Sequence, residues 1–203
     1  MKVFYDNKRD AVREIARKYN VRLGYDASGL LADLLQPMHF KHRTLIMEDA
    51  RTDINMFYLL KGLVRQYYSE DGFDNVVDIV HEGDMLMCNE SLFAHMKSQL
   101  NVQTLEPTYL YAINYRQFKN LAAENRELSD LLFAIVESVI AKKEEIYKLL
   151  DETPINKYMT LMRRDSEVIR RTPLKYVASY LRMAPETLSR VRNTINKRES
   201  SNT

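Results

Sequence analysis

The chain is poor in cysteine and has no long apolar run. Cys88 is the single cysteine, which excludes an internal disulfide, a four-thiolate iron–sulfur cluster and a tetrahedral cysteine zinc site. No stretch approaches the roughly 20 consecutive apolar residues that span a bilayer. The first twenty residues are charged and amphipathic, without the apolar core of a signal peptide. These absences predict a cytoplasmic protein with no membrane partner.

Glycine and proline are scarce too, at five residues each in a chain of 203. Collagen-like, mucin-like and fully disordered chains are therefore excluded. The sequence also lacks a nucleophile elbow, a Walker loop, a dinucleotide-binding glycine motif and a zinc-protease motif, so nothing suggests an enzyme or a bound cofactor. His39 and His42 are three residues apart and would point to opposite faces of a strand, which argues against a metal site. A cupin-like metalloenzyme is the least favoured class.

Charge is unevenly distributed along the sequence. Residues 157–203 contain 11 basic and 4 acidic residues, a net charge of +7, whereas residues 1–156 have a net charge of −5. A basic C-terminal quarter on an acidic body is typical of an appended nucleic-acid-binding module, because contacts with phosphates require cations. An ordinary solvated helical face is the alternative explanation.

The apolar pattern predicts helices at both ends of the chain and strands between them. Asp6 or Asn7 could cap a first amphipathic helix over residues 6–20, and Ser28 could cap a second one that ends before Pro37. Short segments rich in β-branched and aromatic residues then suggest an antiparallel sandwich or jelly roll. The predicted strands cover residues 39–47, 54–60, 62–69, 75–81, 99–106 and 109–114. Helices are predicted over 115–123 and 127–150.

The helix predicted over 127–150 carries an apolar row with alternating steps of four and three residues. Lys142 breaks this row where another apolar residue is due. The pattern favours pairing with a second copy of the helix, although packing on the chain's own sheet is also open. The row that we assign to dimerisation contains Leu128, Leu132, Ile135, Val139 and Ile146, and a second row contains Leu131, Val136 and Ile140.

The last fifty residues predict three short helices, beginning at Pro154, at Thr172-Pro173 and at Ala184-Pro185. The spacing of the last two is that of a helix-turn-helix, although an ordinary helical hairpin is possible. Val177, Leu181 and Leu188 could lock the pair, with Ala178 at the crossing. The residues assigned to base edges are Glu186, Thr187 and Arg190. Those assigned to phosphates are Lys175, Tyr176, Ser189 and Arg192.

The segment PLKYVASYLRMAPETLSRVR, residues 173–192, resembles the helix-turn-helix of Crp/Fnr-family transcription regulators. The order of the other parts is similar: a β-rich segment with a glycine-bearing hairpin at 60–64, an E-G-D turn at 82–84, and a long helix. The resemblance covers about residues 25–195. It implies a homodimer that binds DNA in a sequence-specific way, with Glu186 and Arg190 at the family's base-reading positions.

We therefore expect an α+β chain in which helices flank an antiparallel β-roll or jelly roll, followed by a long dimerisation helix and a helical DNA-binding domain. The expected domains are a cyclic-nucleotide-binding-like β-roll with N-terminal helices (1–124), the dimerisation helix (125–152) and the helix-turn-helix domain (153–203). The expected partners are a second copy, double-stranded DNA with a pseudo-palindromic site, and RNA polymerase as a further candidate. The alternative is a ligand-binding signalling module that acts through protein partners.

The sequence departs from the family's pattern more at the ligand-binding residues than at the DNA-binding residues. Members that bind cyclic AMP hold its phosphate with a G-E pair and an R-S pair, but Ser98-Gln99 stands in place of R-S, so the arginine is missing. The corresponding turn of the long helix is Lys143-Glu144, which is poorly suited to stacking on adenine. We expect that cyclic AMP is not the effector. The candidate effector-pocket residues are Met87, Asn89, Glu90, Ser98 and Gln99.

Two further departures affect the DNA-binding module. Arg182 occupies the turn position where glycine is usual, so the turn must avoid a positive φ angle or accept strain. The sequence ends 13 residues after Arg190, which leaves no room for a trailing β-hairpin wing. A short, wingless variant is expected.

Overall fold

A computed structural model describes residues 7–47, 55–87 and 99–200, with side chains as far as residue 197. In these ranges the chain forms eight helices and eight strands. The helices are α1 (Lys8–Lys18), α2 (Tyr25–Leu34), α3 (Tyr115–Glu124), α4 (Arg126–Leu150), α5 (Pro154–Arg164), α6 (Ser166–Arg171), α7 (Leu174–Tyr180) and α8 (Pro185–Ser200). The strands are β1 (Gln36–Phe40), β2 (Leu45–Met47), β3 (Asn55–Lys61), β4 (Leu63–Glu70), β5 (Phe73–His81), β6 (Met85–Leu86), β7 (Asn101–Thr104) and β8 (Thr108–Asn114).

The strands form two antiparallel four-stranded sheets. The first has the order β1-β8-β3-β6 and the second has the order β2-β7-β4-β5, so β5 is an edge strand among the described residues. The interior between the sheets is apolar, because alternate side chains of each strand point inward. It contains Met47, Phe57, Leu59, Val64, Val80, Leu86, Val102, Leu110 and Ala112, all of them buried. This double sheet is the predicted β-roll.

Helices cover the outer faces of both sheets. α1, α2, α3 and the first half of α4 pack on the first sheet, and their shared core includes Leu31, Phe118 and Ile135. The C-terminal helices and the end of α4 pack on the second sheet, where Leu63 and Ile79 meet Leu161 and Leu181. The single helix α4 therefore contributes to both outer cores. The predicted fold class, an antiparallel β-roll with flanking helices, a long helix and a helical C-terminal segment, is confirmed.

Helix ends follow capping chemistry in most places. The side chains of Asn7, Asn114, Asn125 and Thr153 accept hydrogen bonds from the backbone N–H groups at the starts of α1, α3, α4 and α5. The prediction that Ser28 caps the second helix is wrong. Gly24 stands at that N-cap and Ser28 lies inside α2, and the Gly24 N–H instead donates to Oε2 of Glu127 at 2.6 Å.

Three other boundaries differ from the predictions. The strand predicted over 39–47 is two strands, interrupted by a turn in which Arg43 has a φ of +59°. The short strand β6 was not predicted. The C-terminal segment has four helices, because Asp165 caps the additional helix α6 by accepting from the Val168 N–H. Thr172, predicted as the cap of the next helix, lies at the end of α6, and Pro173 takes the N-cap position of α7.

The row assigned to dimerisation is only partly available for pairing. Leu128 and Ile135 are fully buried in the core that α4 shares with the first sheet, and Leu132 and Val139 pack against that core. Ile146 packs against the core of the C-terminal domain. The assignment of Leu128 and Ile135 to a dimer seam is therefore wrong, because their face of the helix is covered by the chain's own core.

Candidate nucleic-acid interface

The helix pair α7–α8 is held together by a small apolar core. Val177, Ala178, Leu181 and Leu188 are each 2% exposed or less, which confirms the residues predicted to lock the two helices. Val191 and Ile195 continue the buried row along α8. This packing fixes the angle between the helices and leaves the opposite face of α8 outside the core.

The turn between α7 and α8 contains Arg182 with a φ of +49°. A non-glycine residue in this left-handed region costs about 1 kcal/mol or more. Of the two possibilities that the sequence left open, the chain takes the strained one. The N–H of Arg182 donates to the Ser179 carbonyl at 3.0 Å, and the N–H of Met183 donates to the Ala178 carbonyl at 3.0 Å. These two bonds close the end of α7 and direct the chain into α8.

The free face of α8 is polar and basic. Glu186, Ser189, Arg190 and Arg192 are exposed, while Thr187 is half-buried. Within the ranges that the structure describes, the side chains of Glu186, Arg190 and Arg192 make no ion pair. Arginine can form two hydrogen bonds with guanine, and a carboxylate can accept from the amino group of cytosine. The arrangement at the start of α8 therefore has the chemistry needed to read base edges in a major groove.

The residues predicted to contact phosphates are in different environments. Lys175 is exposed at the start of α7, close to the Tyr176 ring, whose centroid lies 4.8 Å from its Nζ. Tyr176 is half-buried, and the Arg65 guanidinium lies 3.9 Å from the centroid of its ring. The sequence did not suggest this contact with the β-roll. Phosphate binding by Lys175, Tyr176, Ser189 and Arg192 stays a prediction.

A cavity of about 390 Å³ lies between the β4–β5 hairpin, the second half of α4 and the end of α7. Its lining includes Asp78, Lys142, Lys143, Tyr147 and Arg182. The sequence singled out Lys142, Lys143 and Arg182 separately. It did not suggest that they lie beside Asp78 and Tyr147, because these residues come together only through the docking of three separate elements.

Lys142 crosses from α4 to the end of β5. Its Nζ lies 3.0 Å from Oδ1 of Asp78 and 3.8 Å from Oδ2 of Asp84, and it donates to the Ile79 carbonyl at 3.3 Å. Burial alone lowers the pKa of a lysine, but the two carboxylates outweigh it and the pKa of Lys142 is raised. The ammonium is therefore charged, and it attaches the long helix to the second sheet.

The predicted effector pocket is described only in part. Met87 is buried and its carbonyl accepts from Nε2 of Gln66 at 3.2 Å, whereas Gln99 is exposed. Asn89, Glu90 and Ser98 lie outside the described residues. The charged turn of α4 predicted at Lys143-Glu144 does reach a cavity, since Lys143 is part of the lining.

Two observations concern metal ions and membranes. Among the described residues, no three histidine, cysteine, aspartate or glutamate side chains are placed to hold a metal ion. Also within those ranges, no helix has the length and apolar character needed to cross a membrane. That the chain is not an enzyme stays a prediction.

Comparison with known proteins shows which folds this architecture resembles. Residues 39–125 match the family model for the cyclic nucleotide-binding domain. No curated protein matches the chain by sequence. Many solved structures do match it by fold, and three of them illustrate the range.

FixK2 from Bradyrhizobium japonicum has a TM-score of 0.69 at 16% identity, over 81% of this chain and 86% of that chain. A regulator from Eubacterium rectale, described as a putative transcriptional regulator of the crp/fnr family, has a TM-score of 0.63 at 15% identity, over 87% and 85% of the two chains. The catabolite activator protein of Thermus thermophilus has a TM-score of 0.53 at 13% identity, over 92% and 88%.

These matches cover the β-roll, the long helix and the C-terminal helices together. Residues 39–125 are therefore similar to a cyclic nucleotide-binding domain, and the chain has the fold of the Crp/Fnr regulators that it matches. The resemblance that the sequence suggested is confirmed at the level of the fold.

Proposed function

We propose that the chain is a homodimeric, sequence-specific DNA-binding regulator of transcription that acts in the cytoplasm. The observation that carries the proposal is the start of α8, where Glu186, Ser189 and Arg190 are exposed on a helix whose other face is locked to α7. A helix in this setting can enter a major groove while α7 crosses the phosphate backbone. Glu186 and Arg190 are the base-reading residues of the proposal, and Thr187 is a further candidate.

An exposed apolar stripe on α4 supports the homodimer. Phe133, Ile140 and Tyr147 are 65%, 46% and 63% exposed, and they follow each other at intervals of seven residues. A heptad-spaced apolar stripe on a helix is typical of a seam with a second helix. The stripe lies on the side of α4 that the chain's own core leaves uncovered. We therefore assign the dimer seam to Phe133, Ile140 and Tyr147.

Cyclic AMP does not control this protein through a family-type phosphate site. Ser98-Gln99 stands where those members have arginine and serine. Calorimetric titration with cyclic AMP tests this point, and micromolar or tighter binding would contradict it.

The main experiment is selection from a randomised DNA duplex library over a series of salt concentrations, without nucleotide and with cyclic AMP or cyclic GMP. We expect enrichment of a two-fold symmetric site without nucleotide, with half-sites about 34 Å apart, one helical turn. Affinity should fall steeply with salt, because binding releases counterions. If no condition enriches a site, the protein-binding alternative is favoured.

A regulator of this kind acts at promoters, so RNA polymerase is the partner to test on the selected duplex.

The dimer seam has its own test. Ile140→Glu places a charge in the centre of the exposed stripe and should shift sedimentation equilibrium from dimer to monomer. Ser138→Glu, on an exposed position of the same helix outside the stripe, is the matched control. If Ile140→Glu stays dimeric, the seam lies elsewhere.

A further inference from the structure

The turn that follows β5 gathers ion pairs from several parts of the chain. Nε2 of His81 lies 3.0 Å from Oδ2 of Asp165 at the start of α6. Glu82 pairs with Arg171 at the end of α6. Asp84 pairs with Lys18 of α1 and with Lys142 of α4. The short stretch from His81, at the end of β5, to Asp84 thus reaches α6, α1 and α4.

Arg171 joins the C-terminal domain to two turns of the β-roll at once. Its Nη1 and Nη2 donate to Oε2 and Oε1 of Glu82 at 2.7 and 2.9 Å. Its Nε and Nη2 donate to Oε1 and Oε2 of Glu106 at 3.0 and 2.6 Å. Both pairs are bidentate, the geometry in which arginine fixes orientation as well as distance. The Arg171 side chain is only 16% exposed, so salt screens these pairs less than it screens pairs on the open surface.

Backbone geometry holds Glu82 in place for this contact. Oε1 of Glu82 accepts the Gly62 N–H at 2.8 Å. Gly62 has a φ of +113°, and a Cβ at this position would lie 2.5 Å from Oγ1 of Thr108. Only glycine fits such a close approach between the hairpin and β8. The carboxylate that receives Arg171 is therefore oriented before the two domains meet.

A second set of contacts lies beside the ion pairs. The Arg65 guanidinium lies between the rings of Tyr67 and Tyr176, with each centroid at 3.9 Å. Oγ of Ser179 accepts the Val76 N–H at 2.9 Å and donates to the Asp74 carbonyl at 3.0 Å. A side chain of α7 thus takes the place of a neighbouring strand at the open edge of β5.

We propose that Arg171, Glu82, Glu106, His81 and Asp165 form a latch that holds the DNA-binding domain on the β-roll in one orientation without a small ligand. The latch joins two separate positions of the C-terminal domain, Asp165 and Arg171, to the β-roll. Together with the Ser179 contact, these positions define a plane, and three such points fix one rigid body on another. The polar face of α8 stays exposed in this arrangement, so the latched chain can present Arg190 to DNA. This last step rests on the proposed function.

The Val76 amide reports directly on the latch. Its N–H bonds to Ser179 across the interface, so undocking exposes it while the sheet stays folded. We expect Arg171→Gln to accelerate hydrogen exchange at Val76 at least tenfold, measured by nuclear magnetic resonance, with no change at the buried amide of Val80 in the same strand. Arg170→Gln is the matched control, because Arg170 is exposed and pairs with Glu167 within its own helix. Exchange at Val76 that is equal in Arg171→Gln and the unmutated chain would overturn the proposal.

Two further variants keep the test decisive if Arg171→Gln does not fold. Asp165→Asn removes the charge opposite His81 but can still cap α6, since asparagine is as good an N-cap as aspartate. It should also accelerate exchange at Val76. Arg171→Lys keeps the charge and loses the bidentate geometry, and should give an intermediate rate. Unchanged exchange at Val76 in both variants, with folding verified by circular dichroism, would contradict the latch.

Affinity for the selected duplex, measured without nucleotide, separates the two proposals. We expect Arg171→Gln to bind at least tenfold more weakly than the unmutated chain, and Arg170→Gln to bind equally well. If the unmutated chain binds no duplex, the proposed function fails and exchange at Val76 still decides the latch. Faster exchange with unchanged affinity would overturn the link between the latched orientation and DNA binding.

Discussion

The C-terminal domain has two polar surfaces that serve different purposes. On the face turned to the β-roll, the charges of Asp165 and Arg171 are matched by His81, Glu82 and Glu106. On the face formed by α8, Glu186 and Arg190 are exposed and make no ion pair within the part of the chain that the structure describes. Arg171 is therefore one of the 11 basic residues of this segment that already has carboxylate partners on the β-roll. Basic residues in a nucleic-acid-binding domain have to be sorted by their partners before they are counted.

The apolar core between the two surfaces should give the largest effect. Leu188 is 1% exposed and packs between α7 and the rest of the domain, so Leu188→Ala should lower the free energy of unfolding by about 2–5 kcal/mol. Denaturant titration measures the change. Thr187→Ala, at the preceding half-buried position, should cost less than about 1 kcal/mol. Equal losses in both variants would mean that Leu188 does not lock the two surfaces together.

The exposed surface should affect sequence reading without affecting stability. Arg190→Ala should weaken binding to the selected duplex by roughly 1–3 kcal/mol and relax the preference at one base position in each half-site. The melting temperature should stay unchanged. Lys119→Ala, at an exposed position of α3, is the control for loss of a positive charge. A footprint and base preference unchanged by Arg190→Ala would refute the assignment.

The docking of the C-terminal domain on the β-roll should depend on pH. The hydrogen bond to Asp165 raises the pKa of His81 despite partial burial, and Asp84 and the Glu82 carbonyl act in the same direction. A raised pKa contributes stability that is complete below the unfolded value of about 6.5 and is lost as pH rises through the folded pKa. Lys142 from α4 is the cation that also faces Asp165. We expect exchange at Val76, corrected for intrinsic rates, to increase as pH rises through the folded pKa of His81, by an amount equivalent to no more than about 1 kcal/mol.

The carboxylates at the contact between the C-terminal domain and the β-roll limit docking at low pH. Burial raises the pKa of Glu82, but the hydrogen bonds from Arg171 and Gly62 outweigh it and lower the pKa to about 2. For Asp165, the hydrogen bond from His81 similarly outweighs burial and lowers the pKa. Their contributions are present above the unfolded values near 4 and are lost as pH falls. Docking should therefore be tightest between about pH 4.5 and the folded pKa of His81. His81→Asn should abolish the alkaline limb and leave the acid limb, and a profile unchanged in that variant would assign the alkaline limb to another group.

The smallest effect concerns phosphate contacts on the exposed surface. Lys175→Ala should weaken binding to all sequences alike and lower the slope of log affinity against log salt by about one. Fluorescence anisotropy over a salt series measures the slope. A change at one base position with an unaltered slope would place Lys175 at a base edge instead.

Sequence reasoning succeeded where the interactions are local. Periodicity and capping located α1, α3, α4 and the α7–α8 pair. The residues predicted to lock α7 to α8, Val177, Leu181 and Leu188, were also correct. The errors at Ser28 and Thr172 arose because a nearby residue, Gly24 in one case and Pro173 in the other, took the cap position. Capping propensity ranks serine above glycine, so it pointed to Ser28, four residues after the cap that the structure shows.

The interface between the domains could not be predicted in this way. Arg171 lies 89 residues from Glu82 and 65 residues from Glu106 along the chain, and no periodicity connects them. The prediction of the dimer seam on α4 was wrong for a related reason. Sequence showed that the helix has a broad apolar surface, but only the packing of α2 and the first sheet determines which side is covered. Lys142 was noticed as an interruption, and its pairing with Asp78 explains why a charge is tolerated there.

The hydroxyl of Ser179 has a consequence for solubility. Among the described strands, β5 is an edge, and an open edge is a template on which another chain can add a strand. Ser179 occupies the backbone groups of Val76 and Asp74 there, so α7 shields this edge. Any condition that swings the C-terminal domain away exposes strand surface as well as freeing α8. Loss of docking is therefore expected to appear in light scattering as self-association, because the C-terminal domain protects the edge of the β-roll from aggregation.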